Sequence, residues 1–534
     1  MSDGKPKGNA IMEIFSGTEE LRKEPWASLW MERAIQYFFL FDIVLIGGFL
    51  LFWIFNLFPT NSNNALYFLS AMVQAQAAIV SLVITLTLVA IQMATASYTP
   101  RVVDVMKKNP DMWYLLTIYL IAISYGFFTL KQVAPNTDRF LVSSILILGI
   151  YTFSILFLYM KNTIAMLRPD TVVSMLVAEI SADNLKESIA QIQRYYRITE
   201  HTKNVKQVQD AAKKEDVLQP IFDVVHASMM RFDVTTTRTG LSALSDRLLE
   251  LFAGFDETGR KEIAGDISLH FCNHIQRSAL VALRNDDEGM LREIAIVLQK
   301  FGTSAVEKGL DEVVFWVAGA LEAVGTSTAD KKIAIATSQV VTSLEEVGIS
   351  AIEKEMAIVP ERVVAAIRVV GTRAVENGLT DAILTVADAL GVIGNGAARK
   401  GMEGATDEVA NALGVVGTSA AGKGLVDVTF WVARALGVVG NSAAANGLDK
   451  ATDRVVRALC HMSDKDAGRD AATESLAKLL SDNKDDNKGP IMDSVREFES
   501  RLNPDERGQF ASFMNSVKEE LEKLESEKKE PLVQ

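Results

Sequence analysis

Cysteine and positive charge are both scarce in this chain. Only two cysteines, Cys272 and Cys460, occur in 534 residues, too few for a disulfide framework and consistent with a reducing cytosol. Acidic residues outnumber basic ones by 67 to 54, and the net charge of −13 argues against general binding of nucleic acid. The start shows no cleavable signal peptide, because the first apolar run begins only near Ala34.

The motifs of the common enzyme classes are missing as well. The sequence has no P-loop, no Rossmann glycine motif, no HExxH and no serine-nucleophile elbow. The charged run 482–488 superficially resembles a calcium loop, but its acidic residues do not fall at the required positions. We therefore expect a protein without enzymatic activity and without a cofactor.

Long charge-poor apolar runs are present, and all of them lie before Met160. A bilayer takes about 20 apolar residues to cross. The four runs of that order are residues 34–58, 65–97, 112–130 and 140–160. The loop 59–64 has no lysine or arginine, whereas 1–33 and 98–111 have several. The positive-inside rule then predicts a multi-pass protein of the cell membrane with both termini in the cytoplasm.

The second run carries a stripe of polar residues. At 100° per residue, its members fall within a sector of about 60° on one helix. They are Ser70, Gln74, Ser81, Thr85 and Gln92. Facing lipid, such a stripe would cost several kcal/mol for each amide, so it must face protein or water. In one interpretation several copies of the helix surround a water-filled path that the stripe lines. In the other, the stripe holds helices together, because small and polar residues favour helix packing in membranes.

Charged residues in and next to these runs offer further candidates. Asp42 is the ionisable residue of the first run, and an intramembrane carboxylate is costly enough to be a functional candidate. The alternative is a carboxyl group packed at a helix interface and bonded to polar side chains of the second run. Arg101, Lys107 and Lys108 follow the second run. They either concentrate anions at a pore mouth or serve as topology determinants and lipid-headgroup anchors.

The region after residue 301 repeats with a fixed period. Glycine recurs every 23 residues, at Gly302, Gly325, Gly348, Gly371, Gly394, Gly417 and Gly440. Such a period predicts an α-solenoid. Either each unit is a short helix paired with a long one, or each is one helix of about 20 residues that breaks near a Gly-Leu pair such as Gly378-Leu379. We favour the single helix, because the apolar spacing continues through the first glycine. Pro360 is then expected in a first helical turn.

Two histidines ahead of the repeats invite a metal interpretation. His270 and His274 lie four residues apart and share one helical face, but Cys272 between them points elsewhere. A third ligand is not evident, and His461 is far along the chain. We therefore expect core or surface residues here and no metal.

These patterns predict an all-α chain of five parts. They are a cytosolic N-terminal segment at 1–33, a four-helix transmembrane domain at 34–160, a cytosolic helical connector at 161–301, an α-solenoid of 23-residue repeats at 302–462, and an acidic C-terminal helical tail at 463–534.

The end of the second run carries a family resemblance. The Ser/Thr-rich stretch from Ser81 to Gln92, followed by Tyr98-Thr-Pro-Arg101, resembles a widespread prokaryotic family of predicted membrane proteins of unknown function. In that family a similar helix ends in Gln and then Ser-Pro-Arg, so Thr99 departs from the pattern. The segment 218–223 and the Thr-rich run up to Leu241 also look like the family's cytosolic part. The resemblance covers roughly residues 35–250 and implies a four-span topology but no activity. The repeats resemble archaeal helical-repeat proteins instead, so the chain looks like a fusion.

Two functional hypotheses follow. In the first, the protein is a homo-oligomeric ion channel, because four spans make a small conduit and cyclic symmetry around the second span would supply a larger one. The cytosolic helices would then assemble or gate the pore. In the alternative, the protein is a membrane-anchored scaffold or sensor whose solenoid surface binds a protein partner. The expected partners are the lipid bilayer, further copies of the chain and, for a channel, ions.

Overall fold

The structure is a computed structural model in which eight segments are described. They are residues 25–55, 62–97, 110–132, 139–166, 168–199, 215–255, 257–483 and 485–529. All regular secondary structure within these segments is helical, as the sequence predicts. The chain forms two compact units: Met1–Ser181 together with Gln219–Ala227, and Ala182–Leu218 together with Ser228–Gln534.

The first unit contains the apolar helices. They are α1 (Pro25–Phe55), α2 (Ser62–Ser97), α3 (Pro110–Gln132), α4 (Arg139–Met166) and the shorter α5 (Pro169–Ala178). The described part of each of the four predicted runs lies within a helix, and residues 56–58 of the first run lie outside the described residues. The bounds differ at the start of α1, which begins at Pro25, so the described part of the predicted segment 1–33 is continuous with the first run. Asp111, expected in a loop, lies in the first turn of α3.

In the first unit α3 and α4 each contact all three of the other long helices. The shared core of the unit consists of Tyr37, Val83, Leu115, Tyr119, Tyr151, Ile155 and Tyr159. Close approach of α2 and α3 depends on a glycine, since a Cβ added at Gly126 would lie 2.5 Å from the Cγ2 atom of Val73. Helices in membranes use small residues in this way to bring their backbones together.

The remaining helices run from α6 (Ala182–Thr199) to the C-terminal region. After α7 (Gln219–Met229) come α8 (Val234–Ala253), α9 (Glu257–Arg284), α10 (Glu288–Glu307), α11 (Asp311–Asp330), α12 (Ala334–Glu353), α13 (Val359–Asn377), α14 (Thr380–Arg399), α15 (Glu403–Gly422), α16 (Val426–Ala445), α17 (Asp449–Ser463), α18 (Asp466–Asp482), α19 (Asp485–Arg501) and α20 (Pro504–Lys529).

Each 23-residue unit is a single helix and a short turn, as the apolar spacing indicates. Helix α11 has 20 residues and is followed by a turn of three before α12 begins. Along the array, each helix packs against the next one and against the next but one. The repeated glycine lies where three helices meet: a Cβ on Gly325 would be 2.7 Å from Val370 Cγ2 and 2.9 Å from Val340 Cγ1. The same packing between alternate helices continues outside residues 302–462, from α8 to α20.

The Gly-Leu pairs end the helices as predicted. Gly378 has φ 70°, and the amide of Leu379 donates a hydrogen bond to the carbonyl of Ala374 at 2.9 Å. This is the left-handed C-terminal turn that glycine adopts without steric cost. Pro360 lies in the first turn of α13, where its missing amide hydrogen is not needed.

Lys332 occupies the same left-handed position at the end of α11, with φ 60°. This conformation is sterically unfavourable for a residue with a Cβ atom. Lys332→Gly is therefore expected to raise the free energy of unfolding by about 0.5–1 kcal/mol. The neighbouring Lys331 has φ −82°, which any residue adopts, so Lys331→Gly should lower stability by a similar amount. Thermal denaturation followed by circular dichroism measures both. Equal shifts of the same sign in the two variants would contradict this account of the turn.

Five described helices are long and apolar enough to cross a membrane by length and composition alone. The windows are Met31–Leu50, Asn63–Val89, Asp111–Gln132, Phe140–Ile164 and Thr380–Arg399. The last of these windows lies in α14, and it is a fifth candidate beyond the four spans that the sequence analysis predicts. It is also the most buried of the five: 61% of its window is buried, whereas 6–39% is buried in the other four windows.

Candidate functional site

The polar stripe of α2 faces away from the rest of its own unit. Gln74, Ser81, Thr85 and Gln92 are exposed, and Ser70 is half-buried. Among the residues of this helix whose burial is described, the buried side chains are Ala65, Leu69, Val73, Gln76 and Val83. At 100° per residue, the centres of the two sets lie roughly 140° apart around the helix. The stripe therefore does not hold the helices of a single protomer together, which leaves water or another molecule as its neighbour.

Part of the hydrogen-bonding capacity of the stripe is used along the helix itself. The hydroxyl of Thr85 donates to the Ser81 carbonyl at 2.9 Å, and the Gln74 amide donates to the Ser70 hydroxyl at 3.4 Å. Such local bonds are usual for hydroxyl side chains inside a helix. Hydroxyl and amide oxygens remain on the outer face, and these uncharged groups can replace part of the hydration shell of an ion.

Gln76 and Thr87 form a second polar line, which at 100° per residue falls roughly opposite the stripe of α2 and is part of the internal packing. Gln76 is buried, and the hydroxyl of Thr87 donates to the Val83 carbonyl at 2.8 Å and also contacts the hydroxyl of Tyr159. The contact between Thr87 and Tyr159 links α2 to α4. The two polar lines of this helix thus face different surroundings.

Asp42 lies on the outer surface of α1. It is exposed, whereas Tyr37 on the same helix is buried and Phe41 and Val44 pack on the core of the unit. Its surroundings along the helix include the exposed apolar side chain of Ile43. A carboxylate in such a position needs water or another protein surface inside a bilayer. Arg101, Lys107 and Lys108 lie outside the described residues.

A buried charged cluster connects three helices at one end of the first unit. The fully buried Asp111 accepts a hydrogen bond from the Tyr37 hydroxyl at 2.8 Å and one from the Asn162 amide at 3.3 Å. The Nε atom of Arg33 lies 3.7 Å from the Oδ2 atom of Asp111. Three helices, α1, α3 and α4, thereby meet at one carboxylate. The sequence analysis did not single out this cluster, because it treats Arg33 and Asp111 as residues of the flanking segments.

The second unit brings a third group to the two histidines of α9. The Oδ2 atom of Asp216 lies 3.1 Å from Nε2 of His270 and 2.8 Å from Nε2 of His274. The ligand atoms of all three lie within 4.8 Å of one another. Cys272 is a buried free thiol whose pKa is raised by burial. The sequence makes no third ligand evident near these histidines, and in the structure Asp216 lies in that position.

Burial and mutual contact set the charge states of this triad. Burial by itself would raise the pKa of the Asp216 carboxyl, but the close contacts with His270 and His274 outweigh it and hold the pKa well below its ordinary value. Burial lowers the pKa of His274, even though Asp216 partly opposes this. At neutral pH the aspartate is therefore charged and the His274 ring is neutral.

The helical array offers one open cleft with aromatic character among its described residues. It has a volume of about 580 Å³ and lies between α14 and α16. Asp388, Asn395, Trp431 and Arg434 contribute polar or aromatic groups to it. Trp431 is 47% exposed, and the guanidinium carbon of Arg434 lies 5.1 Å from its ring centroid. An exposed tryptophan beside an arginine is typical of a surface that binds a partner.

In the comparison with protein families, the match falls on the membrane part of the chain. Residues 34–227 match a family described as "Predicted membrane protein (DUF2254)". The match covers all four predicted runs. Its last residue, 227, lies close to residue 250, where the resemblance found in the sequence ends. This similarity supports a multi-pass location in a membrane. No curated protein matches the chain.

One solved structure shows a weak likeness to the chain. It is described as a "Circular tandem repeat protein with novel repeat topology and enhanced subunit contact surfaces". The sequences are 12% identical, the match covers 78% of this chain and 97% of that one, and the TM-score is 0.34. At that score the likeness carries no conclusion about fold or function.

Proposed function

We propose that the protein is a homo-oligomeric ion channel in which α2 of each copy lines a central pore. The observation that carries the proposal is the orientation of the polar stripe. Gln74, Ser81, Thr85 and Gln92 are exposed on the side of α2 that faces away from the core of the unit. In a membrane this face meets lipid, another copy or water. Contact with lipid is the least favourable of the three, because polar groups find no hydrogen-bond partners there.

The length of the stripe favours a water-filled path over simple packing between copies. From Ser70 to Gln92 the helix rises about 33 Å at 1.5 Å per residue, which matches the thickness of the hydrocarbon core. One or two polar residues suffice to join a pair of helices. A row that runs through the whole core supplies hydrogen-bonding groups at every depth, as a conducting path requires.

The proposed topology has four spans, formed by α1 to α4, with both termini in the cytoplasm. Helix α14 is left out of the membrane, because it lies within the array and packs against helices on both sides along the chain. Helices α8 to α20 then form a cytosolic assembly or gating domain without catalytic activity. Cyclic symmetry would place the α2 helices around one axis.

The direct test is ion flux through liposomes that contain the purified protein. Thr85→Leu and Gln92→Leu remove polar groups from the path, and a rise of about 1.4 kcal/mol in the barrier lowers the flux about tenfold. Ile84→Leu is the matched control, because Ile84 is exposed on the same helix but is already apolar. Its flux should equal that of the wild type.

Two results would remove the channel from consideration. The first is a protein that is monomeric in a native-like membrane. The second is a pair of stripe variants that conduct as well as the Ile84→Leu control, since the path would then not run along α2.

The second candidate function is a membrane-anchored scaffold or sensor. The observation in its favour is the cleft between α14 and α16 with its exposed Trp431. Concave surfaces of helical arrays commonly bind other proteins. A protein without flux, whose purified partner binds the wild type and fails to bind Trp431→Ala, would support this function instead.

A further inference from the structure

The cluster of His270, His274 and Asp216 has the composition of a metal site. Two imidazoles four residues apart on one helix, together with one carboxylate, are a common ligand set for zinc. We propose that these three side chains bind a divalent transition metal ion, with Zn²⁺ as the best match, and leave one coordination position open. The proposal concerns the second unit alone and does not depend on whether the membrane part conducts ions.

The size of the cluster suits such an ion. Zinc bonds to nitrogen and oxygen are about 2.0–2.2 Å long, so ligand atoms in a tetrahedral site stand about 3.3 Å apart. Oδ2 of Asp216 lies 3.1 Å from Nε2 of His270 and 2.8 Å from Nε2 of His274. Outward shifts of a few tenths of an ångström at these two contacts, together with a closer approach of the two histidine nitrogens, would admit the ion, because the three ligand atoms already lie within 4.8 Å of one another. Side-chain rotation supplies a movement of that size.

The His270 ring is the less firmly held of the two imidazoles. Its buried Nε2 atom lies 3.1 Å from Oδ2 of Asp216 but is poorly aligned for a hydrogen bond, whereas Nε2 of His274 is hydrogen-bonded to the same oxygen at 2.8 Å. A metal ion at the centre of the three groups would accept the lone pair of the His270 nitrogen.

The surrounding chain holds Asp216 in place. The Oδ1 atom of Asp216 accepts a hydrogen bond from the Leu218 amide at 2.9 Å, which directs Oδ2 toward the histidines. The hydroxyl of Ser188 donates to the Glu215 carbonyl at 2.8 Å and accepts from the Val217 amide at 3.2 Å. Outer contacts of this kind orient the ligands of metal sites and raise their affinity.

Access also suits a metal ion. The His270 side chain is 18% exposed, whereas that of His274 is 2% exposed. Solvent therefore reaches the cluster from the His270 side, and a water molecule or an external ligand would fill the open position there.

Bound metal would fasten the segment 215–218 to α9. Helix α6 already contributes Ser188 to this segment, and the amide of Gln193 on the same helix donates to Asp266 of α9 at 3.0 Å. The ion would thus complete a junction between α6, the segment 215–218 and α9. We expect Zn²⁺ to raise the thermal denaturation temperature of the protein.

The test uses the full-length protein in detergent, purified without a polyhistidine tag and stripped with a chelator. Isothermal titration with Zn²⁺ should give one site per chain, and Co²⁺ in its place should produce a visible absorption band that Zn²⁺ abolishes. His270→Gln and Asp216→Asn should each weaken binding by more than the roughly 10–100-fold that loss of an outer contact costs. His461→Gln is the matched control, because His461 is exposed and pairs with Asp464 instead.

Each outcome bears on the proposal. Wild-type protein that binds no Zn²⁺ at micromolar concentration and gives no Co²⁺ band overturns it. Equal binding by His270→Gln and the wild type also overturns it, as does a loss of binding in His461→Gln. His270 is partly exposed, so its variant should retain the helical circular dichroism of the wild type. Should both ligand variants unfold, the wild-type Co²⁺ spectrum and its reversal by chelator decide the matter.

Discussion

Arg33→Met is expected to destabilise the first unit by about 3–5 kcal/mol, because removing one partner of a buried ion pair leaves the other charge without compensation. Asp111 is fully buried, and the Arg33 side chain is only 15% exposed. The Tyr37 hydroxyl and the Asn162 amide would still donate to the carboxylate, but neither carries charge. The midpoint of thermal denaturation in detergent, followed by tryptophan fluorescence, measures the loss.

Two further variants separate this effect from a general loss of side-chain volume. Arg33→Met combined with Asp111→Asn should recover much of the stability, because the uncompensated charge is gone while an acceptor for the Tyr37 hydroxyl remains. Arg168→Met alters an exposed arginine just before α5 and should stay within about 0.5 kcal/mol of the wild type. If Arg33→Met were as stable as Arg168→Met, the buried cluster would not hold the unit together.

This cluster shows what a search for apolar runs misses. The runs contain no charged residue other than Asp42, so the sequence analysis assigns both Arg33 and Asp111 to flanking segments. In the structure both lie within helices, and Asp111 is joined to Tyr37 across 74 residues and to Asn162 across 51. Pairings over such distances leave no periodic trace in a single sequence, whereas each apolar run is visible by itself.

The stripe of α2 shows a different limit. Helical periodicity gives the angle between side chains, so a polar line and an opposite line with Gln76 and Thr87 were both predictable. Periodicity does not tell which line faces the neighbouring helices. The structure provides that answer by burying Gln76 and exposing Gln92.

The histidines of α9 show both a local pattern that the sequence reveals and a long-range contact that it does not. The spacing of four between His270 and His274 is local and predicts a shared face. Asp216 lies 58 residues before His274 and reaches it only through the fold. A local pattern thus found two of the three groups and could not find the third.

The repeats were the most predictable part of the chain, because one short turn recurs in every unit. Glycine followed by leucine ends a helix by local geometry alone, and the helix length then follows from the period. The packing of alternate helices was not evident in advance. It depends on which side of each helix carries the repeated glycine, and Gly394 shows why that side matters.

Gly394→Ala is expected to destabilise the array by about 1–3 kcal/mol, since extra volume in a close-packed core forces side chains and backbone to move. A Cβ at this position would lie 2.7 Å from Val409 Cγ1 and 2.7 Å from Val439 Cγ2. Both neighbours are β-branched, so neither can rotate freely to make room. They belong to α15 and α16, and the strain therefore acts on two helix contacts at once.

The matched control is Gly422→Ala, because Gly422 ends α15 and has no other atom within 4 Å of an added Cβ. This change should leave stability equal or slightly higher, as alanine favours helix more than glycine does. Gly394→Ala combined with Val439→Ala should be less destabilised than the sum of its parts, because removing the valine methyl groups makes space for the new one. Additive losses in that pair, measured by chemical denaturation, would show that the repeated glycine does not serve close packing between alternate helices.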